Sequence, residues 1–353
     1  MSSNAAIRHD GDRAAAALFE IAARLAGRRV VLIEPVTGGG NNRLHRVVCA
    51  DGTRLALKAY FQDRTDSRDR LGTEFAALRF LSGQGVSCVP AAIAADPTSG
   101  HALYGWAAGE PVVPPSIGDI DAAVRFVALL KQAAMDPAAA LLPPASEACF
   151  SGFELVRQVE ARYARLQAAA AANGALGRFL KQEMRPALDR HATAARLAYA
   201  DAGLDFAAEI DGARRTLSPA DFGFHNALRR ASGELVFLDF EYFGWDDPVK
   251  LTADFLWHPG MVLEEKLKRH FRQRMLELFA DDPTFARRLE ILHPLYGLRW
   301  AAIVLNEFLP ERWRRRAFAG TTQRLSVLSR QLARAQGLIR QLDADRGALS
   351  DEV

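Results

Sequence analysis

The stretch "LSPADFGFHNALRR", residues 217–230, contains two patterns that share one aspartate. Asp221 opens the tripeptide Asp-Phe-Gly, which on its own matches a magnesium-binding motif. It also opens the spacing Asp-x4-Asn, which ends at Asn226. The first pattern would make Asp221 a metal ligand, whereas the second would place it as a base beside a substrate hydroxyl.

The segment after Asn226 favours the second interpretation. "NALRRASGELVFLDF" has two short strand patterns around a Ser-Gly turn and reaches Asp239 after a further 13 residues. Because a hairpin brings its ends together, we expect Asn226 and Asp239 to lie side by side. Amide and carboxylate oxygens are hard ligands that suit Mg²⁺ carried in with a nucleotide. The alternative is that Asp221 and Asp239 are ordinary turn or cap residues.

The order of patterns along the chain predicts two lobes. Residues 1–105 show strands, the hairpin signal Asp51-Gly52 and an amphipathic helix at 70–85, which together predict a small, mostly antiparallel sheet with one helix. From about residue 118 helical periodicity dominates, and short strands return only near 216–240. The fold class is therefore α+β, with an N-terminal lobe at 1–105 and a helical lobe at 106–353. Ligand sites favour such junctions, so we expect a cleft between the lobes.

A glycine-rich turn separates the first two strand patterns. Gly38, Gly39 and Gly40, in a turn that Asn41 and Asn42 extend, permit positive φ and a close approach of backbone to phosphate oxygens. An ordinary hairpin turn would have the same composition.

Lys58 stands in the apolar strand "RLALKAYF" and could reach nucleotide phosphates as a point charge. Glu74, on the helix of the small lobe, is the natural acidic partner that would fix its position. The alternatives are a lysine that faces solvent and an exposed helix carboxylate. We predict the ion pair.

Composition excludes several classes of function. Lys and Arg total 45 against 42 Asp and Glu, a net charge of +3, so there is no strong case for a nucleic acid or an anionic membrane as partner. The three cysteines form no C-x-x-C pair, which suits a reducing compartment. No apolar run approaches the roughly 20 residues that span a bilayer, and we expect no signal peptide. The prediction is a cytoplasmic protein.

The ordered set of motifs resembles the aminoglycoside phosphotransferase and choline-kinase-like small-molecule kinases, which share the protein-kinase-like fold. That family's catalytic loop reads H-G-D-x-x-x-x-N and is followed by a hairpin and an I-D-W/F-E-like segment. The matching stretches here are "PADFGFHN" and "LDFEYFGWDDP". Pro219 stands where the family has a histidine. The resemblance covers residues 30–110 and 215–260 well and the remaining helices only in general character.

The resemblance implies a role for each matching residue. Asp221 would be the catalytic base, Asn226 and Asp239 the magnesium ligands, and Lys58 the cation on the phosphates, positioned by Glu74. The tripeptide at 221–223 is then a decoy, because Asp239 is the counterpart of the metal-binding aspartate.

Further residues enter through the same resemblance. "ALYGWAAGEP" would be the hinge, where backbone groups near Tyr104 and Trp106 bind the adenine edge. Asp254 is the nearest candidate for an aspartate that supports the catalytic loop. His225 would either touch substrate or pack the loop.

The implied function is ATP- and Mg²⁺-dependent transfer of the γ-phosphate to a hydroxyl of a small metabolite, which is a sugar, an amino alcohol or an aminoglycoside-like acceptor. Residues 118–215 would form the acceptor side. The alternative is a nucleotide-binding pseudokinase or regulatory module. An a/d spacing in the C-terminal helix indicates either core packing or a homodimer seam, through Leu325, Leu328, Leu332, Ala335, Ile339 and Leu342.

Overall fold

The computed structural model describes residues 15–36, 42–61, 68–310, 312 and 324–350. The predicted phosphate-binding turn at Gly38, Gly39, Gly40 and Asn41 lies outside these residues. The chain forms two compact units. We call the first, up to Pro111 together with Ala227–Tyr242, the sheet unit, and the remainder the helical unit. The segment Ala227–Tyr242 falls within the range predicted for the helical lobe, 106–353, but groups with the sheet unit.

The sheet unit is built on one antiparallel sheet with strand order β1-β2-β3-β5-β4. Its strands are β1 (Val30–Val36), β2 (Arg43–Cys49), β3 (Arg54–Ala59), β4 (Ala92–Asp96) and β5 (His101–Gly105). Helix α1 occupies residues 15–26 and α2 spans Arg70–Gly83. The predicted hairpin turn between β2 and β3 is confirmed, because Gly52 has φ +82° and Asp51 accepts the backbone N–H of Thr53 at 3.0 Å.

A small hydrophobic core covers one face of this sheet. Leu55 and Leu57 of β3 are buried and alternate with less buried residues, as expected for a strand with one face covered. The side chains that share this core come from α1, β2, β3 and β5, and are Ala22, Leu25, Val47, Cys49, Leu55, Leu57 and Leu103.

A second, three-stranded sheet in the same unit carries the predicted hairpin. Its strands are β6 (Glu110–Pro111), β8 (Ala227–Arg229) and β9 (Leu235–Phe237), in the order β6-β8-β9. Ala227 pairs with Phe237, and Gly233 turns the chain with φ +87°. The hairpin predicted between Asn226 and Asp239 is therefore present.

The helical unit contains the rest of the secondary structure. Two short strands, β7 (Thr216–Ser218) and β10 (Gly244–Asp246), pair antiparallel. The helices are α3 (Ile117–Ala133), α4 (Gly152–Ala170), α5 (Gly174–Phe179), which continues into a π-helical turn, α6 (Arg185–Asp201), α7 (Pro248–Trp257), α8 (Glu265–Leu278), α9 (Phe285–Val304) and α10 (Arg324–Ser350). The α+β class predicted from the sequence is confirmed.

Helix α9 forms the centre of this unit and packs on α4, α6, α7 and α10. Gly297 lets α10 approach, since a Cβ there would lie 2.5 Å from Leu342. The a/d residues Leu328, Ala335, Ile339 and Leu342 of α10 are buried within this chain, so they serve core packing. Leu325 is 81% exposed, and a dimer through this helix stays a prediction. Across the described residues, no helix combines the length and apolar character needed to cross a bilayer.

Candidate active site

The loop that carries Asp221 leaves β7 and is anchored by two aromatic residues. Phe222 and Phe224 are buried and contact Phe255 with ring centroids 5.3 and 5.4 Å apart. Between them, a Cβ on Gly223 would lie 2.7 Å from the Met261 sulfur and 2.8 Å from His225 Nδ1, so any larger residue would have to displace these side chains. Phe222 and Gly223 therefore pack and turn the loop, and the Asp-Phe-Gly tripeptide has a structural explanation.

The Asp221 carboxylate contacts two imidazoles. Its Oδ1 lies 3.1 Å from Nε2 of His225 and 3.1 Å from Nε2 of His258, and its side chain is about one-third exposed. Burial works to raise the pKa of Asp221, but the hydrogen bonds from the two histidines outweigh it and hold that pKa well below its usual range. Asp221 is thus ionised and still reachable from solvent. Ala220, just before it, has φ +64°, a conformation that costs a non-glycine residue about 1–3 kcal/mol.

Asn226 follows in the 3₁₀ turn Phe224–Asn226. Its Nδ2 donates to the backbone oxygen of Asp221 at 3.0 Å. This hydrogen bond assigns the amide orientation and leaves Oδ1 as the atom that could bind a metal ion.

Among the residues that the structure describes, Asp254 reaches the Asp221 loop through other side chains. It pairs with Lys250 at 3.2 Å and Arg299 at 3.1 Å, and it accepts the Trp300 indole N–H at 2.8 Å. The edge of Trp300 packs on His258, with centroids 4.4 Å apart and planes at 75°. The expectation that Asp254 supports the catalytic loop therefore holds only in this indirect form.

Lys58 lies among three carboxylates of the sheet unit. Its Nζ is 2.6 Å from Glu74, 2.7 Å from Asp239 and 3.8 Å from Glu241. Burial works to lower the pKa of Lys58, but attraction to these carboxylates outweighs it and raises that pKa well above its usual value. The predicted ion pair with Glu74 is present, and Asp239 joins it.

Glu241 is a residue that the sequence reasoning missed. It is 2% exposed and accepts the Asn42 side-chain N–H at 2.6 Å, while Asn42 Oδ1 accepts the backbone N–H of Phe61 at 3.2 Å. Glu241 therefore ties Asn42, at the end of the glycine-rich turn, to the segment after β9 that carries Asp239. In the sequence, Glu241 is the last residue of "LDFE", the segment that resembles the family motif after the hairpin, and this position could have marked it as a site residue. Asp239 itself has φ +64°.

The predicted hinge begins where β5 ends. Tyr104 is still inside the sheet, paired with Ala56 and Ala92, and its hydroxyl bonds to that of Tyr60 at 2.6 Å. The backbone N–H of Trp106 also bonds within the sheet unit, to Arg54 at 3.4 Å. Trp106 lines an open depression of about 740 Å³ together with Ala108, Gly109, Glu110, Arg229, Arg230, Ala231 and Ser232.

The known proteins that this chain resembles share its fold and little of its sequence. No protein-family model matches the sequence, and no curated protein matches it either. Solved structures do match in fold. A spectinomycin phosphotransferase in complex with ADP and spectinomycin superposes with a TM-score of 0.62 and 12% identity, covering 92% of this chain and 97% of its own.

Two further structures extend the likeness. A choline kinase from Streptococcus pneumoniae gives a TM-score of 0.57 and 14% identity over 93% of this chain and 99% of its own. An ethanolamine kinase from Plasmodium vivax gives 0.52 and 12% over 84% of each chain. At this identity the likeness establishes the fold. The chain therefore has the protein-kinase-like fold shared by aminoglycoside phosphotransferases, choline kinases and ethanolamine kinases.

Proposed function

We propose that the protein is a small-molecule kinase that transfers the γ-phosphate of ATP to a hydroxyl group. The observation that carries this proposal is the buried ammonium of Lys58, held between Glu74 at 2.6 Å and Asp239 at 2.7 Å. A lysine whose charge is secured in this way offers a fixed cation to nucleotide phosphates. Solved structures with this fold include a spectinomycin phosphotransferase with bound ADP and a choline kinase. That likeness supports the proposed kinase function.

Asn226 and Asp239 would hold Mg²⁺. Both fit a hard cation, since the Asn226 amide keeps its oxygen available and the Asp239 side chain is 35% exposed. When bound, the ion would neutralise charge on the transferring phosphate.

Asp221 would orient the acceptor hydroxyl. Its carboxylate stays ionised because two hydrogen bonds hold the pKa low, so it is a weak base with a fixed direction. Phosphoryl transfer proceeds through a loose transition state that needs positioning more than strong proton abstraction. A carboxylate of low basicity satisfies that need.

Nucleotide binding would complete the site. We propose that Gly38, Gly39, Gly40 and Asn41 approach the phosphates through their backbone. The adenine edge would meet the chain just after Trp106, where the backbone leaves the sheet, and not at Tyr104.

We propose that the acceptor is a sugar, an amino alcohol or an aminoglycoside-like compound, because the proteins of similar structure include a choline kinase, an ethanolamine kinase and a spectinomycin phosphotransferase. A cytoplasmic location would supply the ATP.

A screen of hydroxylated metabolites tests the proposal. The protein is incubated with Mg²⁺ and ATP, and each candidate is searched for a new phosphate ester by ³¹P NMR and mass spectrometry. Transfer to at least one acceptor is the expected result. Binding of Mg²⁺-ATP without transfer to any acceptor would instead favour the nucleotide-binding regulatory module.

A further inference from the structure

We propose that His225 and His258 are positioning residues that hold one oxygen of the Asp221 carboxylate and reserve the other for the acceptor hydroxyl. The proposal rests on the function proposed above. Both imidazoles place Nε2 at 3.1 Å from the same atom, Asp221 Oδ1. A carboxylate oxygen has two lone pairs and can accept both N–H groups.

The tautomer of His258 follows from its second nitrogen. Nδ1 lies 3.0 Å from the backbone N–H of Gly260, so Nδ1 accepts and carries no proton. Burial lowers the pKa of His258, which favours the neutral ring. A neutral ring with an unprotonated Nδ1 carries its proton on Nε2. His258 therefore donates to Asp221.

His225 is placed as the second donor by its neighbour. Its ring stacks on that of His258 with centroids 3.7 Å apart and planes only 4° from parallel. In this stack each ring has its Nε2 3.1 Å from Oδ1 of Asp221. Within the described residues the buried Nδ1 of His225 has no hydrogen-bond partner, so the stacking on His258 and the contact with Asp221 together orient this ring.

The same geometry disfavours joint binding of a metal ion. Asp221, His225 and His258 offer three ligand atoms within 4.8 Å of one another. However, the Nε2 of His258 already carries a proton, so it has no lone pair to offer a metal ion.

Neighbouring residues leave room for both rings and support them. A Cβ on Gly260 would lie 2.8 Å from the His258 ring, and a Cβ on Gly223 would lie 2.8 Å from His225 Nδ1. Trp300 packs edge-on against His258. The residues around Asp221 therefore leave space for two imidazole rings and pack against them. This chain has Pro219 at the position of the loop histidine in the family that it resembles.

Substitution of His258 tests the proposal by kinetics. His258→Leu removes the donor, and His258→Gln keeps an N–H of similar reach. We expect His258→Leu to lower kcat by about 100-fold, the scale of a misplaced catalytic group, with KM for ATP nearly unchanged. His258→Gln should recover most of that loss. In an Asp221→Ala background, His258→Leu should cause no further loss.

The control is a second histidine–aspartate contact in the same unit. His270 Nε2 lies 2.8 Å from Asp121 Oδ1, between α8 and α3. His270→Leu should leave kcat within about twofold of the parent. The proposal is overturned if His258→Leu retains full kcat, or if it lowers residual activity equally with and without the Asp221 carboxylate.

A second measurement does not depend on activity. In ¹⁵N NMR of selectively labelled protein, His258 should appear as the Nε2–H tautomer, and Asp221→Ala should shift the His225 and His258 ring signals but not those of His270. An Nδ1–H tautomer for His258 would overturn the proposal. This result stands even if the wild-type protein transfers no phosphate, which would refute the proposed function alone.

Discussion

Replacing Lys58 with methionine should destabilise the sheet unit, because the lysine neutralises buried carboxylates. Glu74 is 4% exposed and Glu241 is 2% exposed, and both lie within 3.8 Å of the ammonium. Removing one partner of a buried ion pair costs about 3–5 kcal/mol, since the other charge is left uncompensated. Asp239 adds less, because water reaches one-third of its side chain.

Thermal unfolding followed by circular dichroism would measure this effect. At about 2 °C per kcal/mol, the lower end of the range for large domains, Lys58→Met should lower the Tm by roughly 6–10 °C. The matched control is Lys131→Met. Lys131 also lies 2.6 Å from a carboxylate, that of Asp281, but the two side chains are 30% and 68% exposed. Such an exposed pair contributes less than about 1 kcal/mol.

The two variants together test whether Lys58 stabilises the protein by neutralising buried carboxylates. If Lys58→Met unfolds within 2 °C of the wild type, or if Lys131→Met costs as much, then burial of the carboxylates is not what makes Lys58 important for stability. The phosphate-binding role proposed for Lys58 would then need support from nucleotide affinity alone.

Three further outcomes follow from the structure. Asp239→Asn should raise the Mg²⁺ concentration needed for half-maximal activity by at least about tenfold, or about 1.4 kcal/mol, in a metal titration at fixed ATP; an unchanged midpoint would count against Asp239 as a ligand. Burial lowers the pKa of His293 to about 3, whereas in the unfolded chain the pKa of histidine is about 6.5. The neutral ring therefore contributes its full stability above about pH 6.5, and this contribution is lost as the pH falls toward 3. The acid side of a Tm–pH profile should therefore be flatter in His293→Gln, and an identical profile would contradict this. Gly244→Ala should destabilise by more than about 1 kcal/mol, because the new Cβ would meet the Pro143 backbone oxygen at 2.3 Å; urea unfolding would check it, and a cost near zero would show that the strand moves easily.

Local patterns were sufficient to predict much of the sheet unit. The Asp51-Gly52 turn, the alternation in β3 and the hairpin from 227 to 237 each depend on residues close in sequence. The Lys58–Glu74 ion pair was also predictable, because a buried cation needs a carboxylate and the nearby helix offered one.

Other parts of the candidate site depend on contacts that no local pattern encodes. His258 reaches Asp221 from 37 residues away, and nothing in its own segment marks the end of α7 as a neighbour of that loop. Glu241 could have been noticed in its motif, but its burial and its bond to Asn42 arise only from packing. Asp254 was expected beside the catalytic loop from the family resemblance, but its partners are Lys250 on α7 and Arg299 and Trp300 on α9.

The most direct test of the central claim compares wild-type protein with Asp221→Asn in a phosphotransfer assay at saturating Mg²⁺-ATP, using the acceptor found by the metabolite screen. The amide keeps the size of the side chain but has no charge and only one acceptor oxygen, so it cannot hold both the histidines and the acceptor hydroxyl as the carboxylate does. We predict that kcat falls by about 10²–10⁴-fold, the usual contribution of a positioned base, while the dissociation constant for ATP stays within a factor of about two to three of the wild type. Equal turnover by the two proteins would contradict the assignment of Asp221 as the residue that orients the acceptor hydroxyl.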